Sequence, residues 1–80
     1  MQVRFTRHAR QRMSRRRITE REVIDALEAP DELNDGDMGE TIAVQRLLDD
    51  ELRVVYQEVD DDSYLVITVF RGKLSEQGSD

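Results

Sequence analysis

Cysteine and tryptophan are absent from this 80-residue chain, and proline, histidine and lysine occur once each, as Pro30, His8 and Lys73. Without cysteine there is neither a disulfide framework nor a thiolate zinc site. With a single histidine, a transition metal would have to rest on carboxylates. An EF-hand aligned on Gly36 would begin at Asp31 but put Leu33 and Ile42 at two ligand positions, so that pattern fails. No glycine-rich phosphate loop and no Ser-His-Asp framework is present, so neither metal nor cofactor is expected. Phe5, Tyr56, Tyr64 and Phe70 are the only aromatic residues, too sparse for a base-stacking platform. No apolar run approaches membrane-spanning length, and Met1 to Arg10 lacks the apolar stretch of a secretion signal. These absences lead to the expectation of a soluble cytoplasmic protein with no membrane partner.

What the chain has in quantity is charge, and the two signs are segregated. The net charge is −6, from 12 basic and 18 acidic residues. Residues 1–21 hold eight arginines and one acid, Glu20, a net +7; residues 22–80 hold four basic residues and 17 acids, a net −13. An arginine-rich head on an acidic body suits a head that meets phosphate or an acidic partner. Eleven of the 12 basic residues are arginine and ten of the 18 acids are aspartate. This lysine-poor, aspartate-rich balance is halophilic in character; a GC-rich genome gives the same arginine bias. In concentrated salt the Debye length falls to about 3 Å at 1 M, so arginines that bind phosphate there must make direct contacts.

At 9.4 kDa the chain has room for one core. A single α+β domain over residues 1–73 is expected, followed by a flexible tail over 74–80. Thr6 is placed to cap a first helix over residues 7–16, in which Ala9 and Met13 face inward. His8, Arg12 and Arg15 share one stripe of that helix, with Arg16 between the stripe and the apolar pair. Arg7 and Arg10 take the far side. Thr19-Glu20-Arg21-Glu22 is a capping box, and Ile18 and Val23 form a hydrophobic staple around it. Val23, Ile24 and Leu27 continue the buried stripe until Pro30 stops the helix. Residues 31–40 are polar and read as a flexible connection.

Thr41–Leu47, Leu52–Val59 and Tyr64–Arg71 then read as three strands with short acidic turns, a natural antiparallel meander. Val3 and Phe5 are compatible with a short initial strand, on thin grounds. The expected fold is thus two N-terminal helices packed on one face of a three-stranded antiparallel β-meander. In the third strand, Leu65/Ile67/Val69 and Tyr64/Val66/Thr68/Phe70 form two largely apolar faces. Two helices cannot cover both, which points to a homodimer or a protein partner over the second set.

His8 is the one side chain that exchanges a proton near neutral pH without a large shift. It is therefore a candidate general base; if the chain cleaves RNA, its target is the ribose 2′-hydroxyl and the site is metal-independent. Arg12, one turn on, is the candidate to stabilise phosphorane charge, and Arg16 extends the row. Arg53 and Arg71 are candidates for flanking phosphates, Arg15 and Thr68 join them as substrate-binding residues, and Tyr56 or a water would serve as the acid. Structural alternatives stand beside these roles. His8 can simply pack at a helix start, and the arginines can pair with Glu22, Asp25 and Glu28.

His8-Ala9-Arg10-Gln11-Arg12-Met13-Ser14-Arg15-Arg16, followed by Ile18-Thr19 and Glu22-Val23, resembles a family of short uncharacterised prokaryotic domains. Leu52-Arg53-Val54-Val55-Tyr56 and Val66-Ile67-Thr68-Val69 continue the likeness, which covers roughly residues 3–72. His8, Arg12, Met13, Arg16 and Thr68 match motif positions; Arg17 departs from the glycine expected at the end of the first helix. The layout is similar to that of the RelE- and BrnT-type toxins. That likeness implies an RNA-binding protein or ribonuclease with an antitoxin-like partner. The alternatives are a non-catalytic protein-interaction module and a nucleic-acid-binding regulator.

Overall fold

The computed structural model describes residues 1–73, so the tail expected over 74–80 lies outside the described residues. In chain order the elements are β1 (Gln2–Phe5), α1 (Arg7–Arg16), α2 (Glu20–Glu28), β2 (Glu32–Asp35), β3 (Thr41–Arg46), β4 (Asp50–Asp60) and β5 (Ser63–Lys73). The strands form one five-stranded mixed sheet in the order β1-β5-β4-β3-β2. This corrects the three-stranded antiparallel meander. The β3-β4-β5 meander is there, but a strand is added on each side of it.

β1 pairs in parallel with β5, Val3 opposite Tyr64 and Phe5 opposite Val66. β2 pairs antiparallel with β3, Leu33 opposite Ala43. The segment read as a polar connection supplies this strand. Glu-Leu-Asn-Asp has low strand propensity, and the ladder with β3 holds it extended. No helix among the described residues is long and apolar enough to cross a membrane.

Both helices form where the capping residues place them. The Thr6 hydroxyl accepts from the Ala9 N–H at 3.0 Å and starts α1. Thr19 and Glu22 close a reciprocal capping box at the head of α2. Ile18 and Val23, the staple pair, are buried in the same apolar cluster. Ala9 and Met13 of α1 and Val23 and Ala26 of α2 pack on Ala43, Leu52, Val54, Val66 and Val69. The helices therefore share one face of the sheet. Gln45 donates to the carbonyls of Asp25 and Ala29 at 3.4 and 3.5 Å and ties β3 to the end of α2.

The turn between the helices is built without its glycine. Arg17 adopts φ 58° and ψ 44°, the left-handed region. Its N–H donates to Ser14 O at 3.3 Å while the Ile18 N–H donates to Met13 O at 2.8 Å, a Schellman ending with Ile18 and Met13 both in the core. An L-residue pays about 1–2 kcal/mol for this conformation. Arg17 makes no ion pair among the described residues, so its replacement by glycine sets the relief of that strain against only the larger unfolded-state entropy of glycine, about 0.4–1 kcal/mol. Arg17→Gly should stabilise the fold by about 1 kcal/mol, read in calorimetry as a rise in Tm of roughly 4–8 °C. An unchanged or lower Tm would mean that the turn is not strained.

A β-bulge decides which side chains face out. Val55 lies opposite Thr68, but Tyr56 lies opposite Val66, so Ile67 is an extra residue in β5. The period of two breaks there. Tyr64 and Val66 stay on the helix side with Val69 and Arg71, while Thr68 and Phe70 turn to the outer face with Val55 and Arg53. The proposed second face of Tyr64, Val66, Thr68 and Phe70 is thereby divided, and the case for a homodimer or partner covering those four together loses its basis.

Candidate functional site

β1 ends at Phe5, opposite Val66, and from Ile67 onward α1 takes its place along the edge of β5. The Thr6 N–H donates to Val66 O at 3.0 Å and the Thr6 hydroxyl to Ile67 O at 2.7 Å. Further along, Arg12 Nε donates to Val69 O at 3.0 Å. One threonine thus caps the helix and joins it to the sheet, and one arginine satisfies an edge carbonyl that has no strand to pair with.

The Arg12 guanidinium also lies over the Phe70 ring, 4.7 Å from its centroid. Phe70 is 42% exposed on the outer face, so the cation sits against an aromatic ring at the protein surface. Because only Nε is engaged among the described residues, both Nη groups of Arg12 face no protein acceptor there and can donate to a ligand. Arg12 is a cation held in a fixed place.

His8 is one turn earlier on the same stripe of α1. It is exposed and makes no hydrogen bond or ion pair among the described residues. Arg15 and Arg16 are exposed on the following turn, likewise without an ion pair among those residues. The acids of α2 are used elsewhere: Asp25 by Arg21 at 3.5 Å and Glu22 by Arg71 at 3.6 Å. On the far side of α1, Arg10 pairs with Glu20 at 3.0 Å and lies 4.9 Å from the Phe5 ring centroid. The candidate stripe therefore keeps its charge uncompensated, while Arg10 has a structural partner.

The remaining candidates fall in different places. Arg53 is on the outer face opposite Phe70, where its Nε donates to the buried Glu51 carboxylate at 2.7 Å. Thr68, its neighbour on that face, has a buried Oγ1 with no hydrogen-bond partner. Tyr56 is on the helix side, packed against the core and edge-to-face with Tyr64 at 5.4 Å. Burial pushes its phenol above the ordinary tyrosine value, and Tyr64 and Glu58 add to the shift. Arg71 is also on the helix side, held by Glu22 and, at 3.3 Å, by Asp50.

The structure thus brings His8, Arg12, Arg15 and Arg16 into one row, with Thr68 on the outer face of β5 and Arg53 on the same face of the central strand β4. Tyr56 lies on the opposite face of the sheet from Thr68 and Arg53, the face on which the helices pack. Among the described residues no group of three His, Asp or Glu side chains is arranged to hold a metal ion. Phe70, expected on a face that a partner covers, is the residue stacked against the Arg12 guanidinium. Its exposure depends on the bulge, which strand alternation alone does not reveal.

Residues 5–71, spanning both helices and the strands up to Arg71, match the family model described as a domain of unknown function, DUF4258. The chain belongs to this family. The match covers the His8-to-Arg16 helix, the capped second helix and the meander, so it bears out the resemblance to a short, uncharacterised domain family. No curated protein and no solved structure matches the chain significantly, and the family match carries no relationship to RelE- or BrnT-type toxins.

Proposed function

We propose that this DUF4258 domain binds single-stranded RNA along α1 and the β5 edge and cleaves it without a metal. The observation that carries the reading is Arg12, fixed by Val69 O and Phe70 with its Nη groups unengaged, in an uncompensated row with exposed His8. In the step envisaged, His8 takes the proton of a ribose 2′-hydroxyl and the 2′-oxygen bonds to phosphorus. The P–O5′ bond breaks, O5′ leaves with a proton from water, and His8 returns its own proton to solvent. The products are a 2′,3′-cyclic phosphate and a 5′-hydroxyl. Arg12 stabilises the charge that develops on the phosphorane oxygens. Water serves as the acid, since Tyr56 is packed against the core and the Tyr64 ring, and this makes for a slow enzyme.

The test is incubation of the purified protein with end-labelled single-stranded RNA, with and without EDTA. Cleavage that persists in EDTA and leaves cyclic-phosphate ends supports the reading. Binding should weaken with salt, log K falling with log salt at a slope of about −0.7 for each phosphate contacted. Absence of salt-dependent binding, or cleavage abolished by EDTA, overturns it.

One observation favours a second reading. His8 has no hydrogen bond to orient its ring among the described residues, whereas general bases are commonly held by a further group. A non-catalytic module whose arginine row meets an acidic protein segment, such as an antitoxin-like partner, needs no oriented imidazole. RNA bound in a salt-independent way or not at all, with an acidic peptide held instead, would select that reading.

A further inference from the structure

Beyond the His8–Arg12 row, the described surface contains a cleft of about 370 Å³ where the end of α1 meets the end of β5, lined by Arg16, Asp50, Arg71, Gly72 and Lys73. Three cations face one carboxylate there. Arg71 is already engaged, its Nε 3.3 Å from Asp50 and its Nη1 3.6 Å from Glu22, so the Asp50 carboxylate is opposed by a guanidinium inside the cleft wall. The side chains of Arg16 and Lys73 make no hydrogen bond or ion pair among the described residues. A Cβ built at Gly72 would meet no atom within 4 Å, so the backbone on that wall is open to close approach. A neutral lining would suit an apolar ligand. This one leaves two uncommitted cations around an open backbone, the arrangement that suits a phosphate.

The volume is on the order of ten waters, which fits a phosphate together with its ribose. Arg16 follows His8 by eight residues of one helix, about 12 Å along its axis. That separation is too long for both to act on the same phosphate and suits a neighbour further along the same strand. We infer that this cleft is a subsite for a flanking phosphate of the bound RNA, held by Arg16 and Lys73 with Arg71 as a fixed buttress. The inference rests on the RNA reading above and deepens it. The strand runs along α1, with one phosphate at His8 and Arg12 and another in the cleft, so short fragments that cannot reach both are poor ligands.

The full chain should be titrated with 2′-O-methyl oligonucleotides, which cannot be cut, while amide resonances are followed by NMR. A tetranucleotide is expected to bind at least about tenfold more tightly than a dinucleotide, with the Gly72 amide shifting only for the longer ligand. The double variant Arg16→Ala/Lys73→Ala should lose that advantage, and Lys73→Ala alone should reduce it while leaving dinucleotide affinity unchanged. Both side chains are exposed, so folding is checked simply by the unchanged amide spectrum elsewhere. RNA bound on α1 with Gly72 unmoved, or a length advantage that survives the double variant, overturns the cleft and leaves the RNA reading standing. If pyrophosphate moves Gly72 while neither oligonucleotide binds, RNA is not the ligand, and the proposed function falls with it.

Discussion

Cleavage of single-stranded RNA by the His8→Ala variant should be about 10²–10⁴-fold slower than by the parent chain, the range a lost general acid–base group produces. His8 is exposed and without a partner among the described residues, so the substitution removes no packing and no hydrogen bond from that part of the fold. Tm and RNA affinity should stay close to those of the parent. A fall in kcat without a matching change in KM is therefore the signature. In cells, growth arrest on overexpression should disappear with the same change. Arg7→Ala, on the opposite side of α1, serves as the control and should alter the rate little. If His8→Ala cleaves at the parent rate, the imidazole is a surface side chain and the interaction-module reading takes precedence.

The row itself was legible because it depends on helix geometry alone. Thr6 and Thr19 announce the helix starts, and a period of 3.6 residues puts His8, Arg12 and Arg15 on one stripe whatever the rest of the chain does. The β3-β4-β5 hairpins were legible for a similar reason, since short acidic turns leave few alternatives. The other strands depend on distant partners. β1 has four residues and finds its ladder 61 positions later, Gln2 opposite Ser63, so nothing in its own composition marks it strongly. β2 is polar and is held extended by β3.

The division of the candidate residues between two faces of the sheet has a cause that the sequence did contain. Arg53 and Tyr56 are an odd number of residues apart in one strand, as are Thr68 and Arg71, so neither pair can share a face of regular sheet. The bulge at Ile67 is different. It lies where β5 passes from its ladder with β1 to its contacts with α1, and it turns Phe70 outward beside Arg12 in a way no local pattern shows.

Arg12 couples the fold to the proposed chemistry, and its variants should separate the two. Arg12→Ala removes the donor to Val69 O and the cation over Phe70. Hydrogen bonds from charged groups contribute about 1.5–3 kcal/mol and an exposed cation–π contact about 0.5–1 kcal/mol. Overlap between the two and the solvent exposure of Phe70 put the expected stability loss at about 2 kcal/mol. Losing one positioned donor to developing charge should also slow cleavage by about 10²–10³-fold. Arg12→Lys keeps the charge, but an ammonium cannot hold Val69 O, lie flat on Phe70 and present a fork to phosphate at once. It should recover RNA affinity while remaining well below the parent in kcat. Arg12→Met restores the volume of the stem without the charge and should regain part of the stability with none of the rate. Were all three variants to lose rate only in proportion to their loss of folded protein, Arg12 would be a buttress of the β5 edge and nothing more. A lysine variant with full kcat would show that charge alone suffices and that the geometry at Val69 and Phe70 serves the fold.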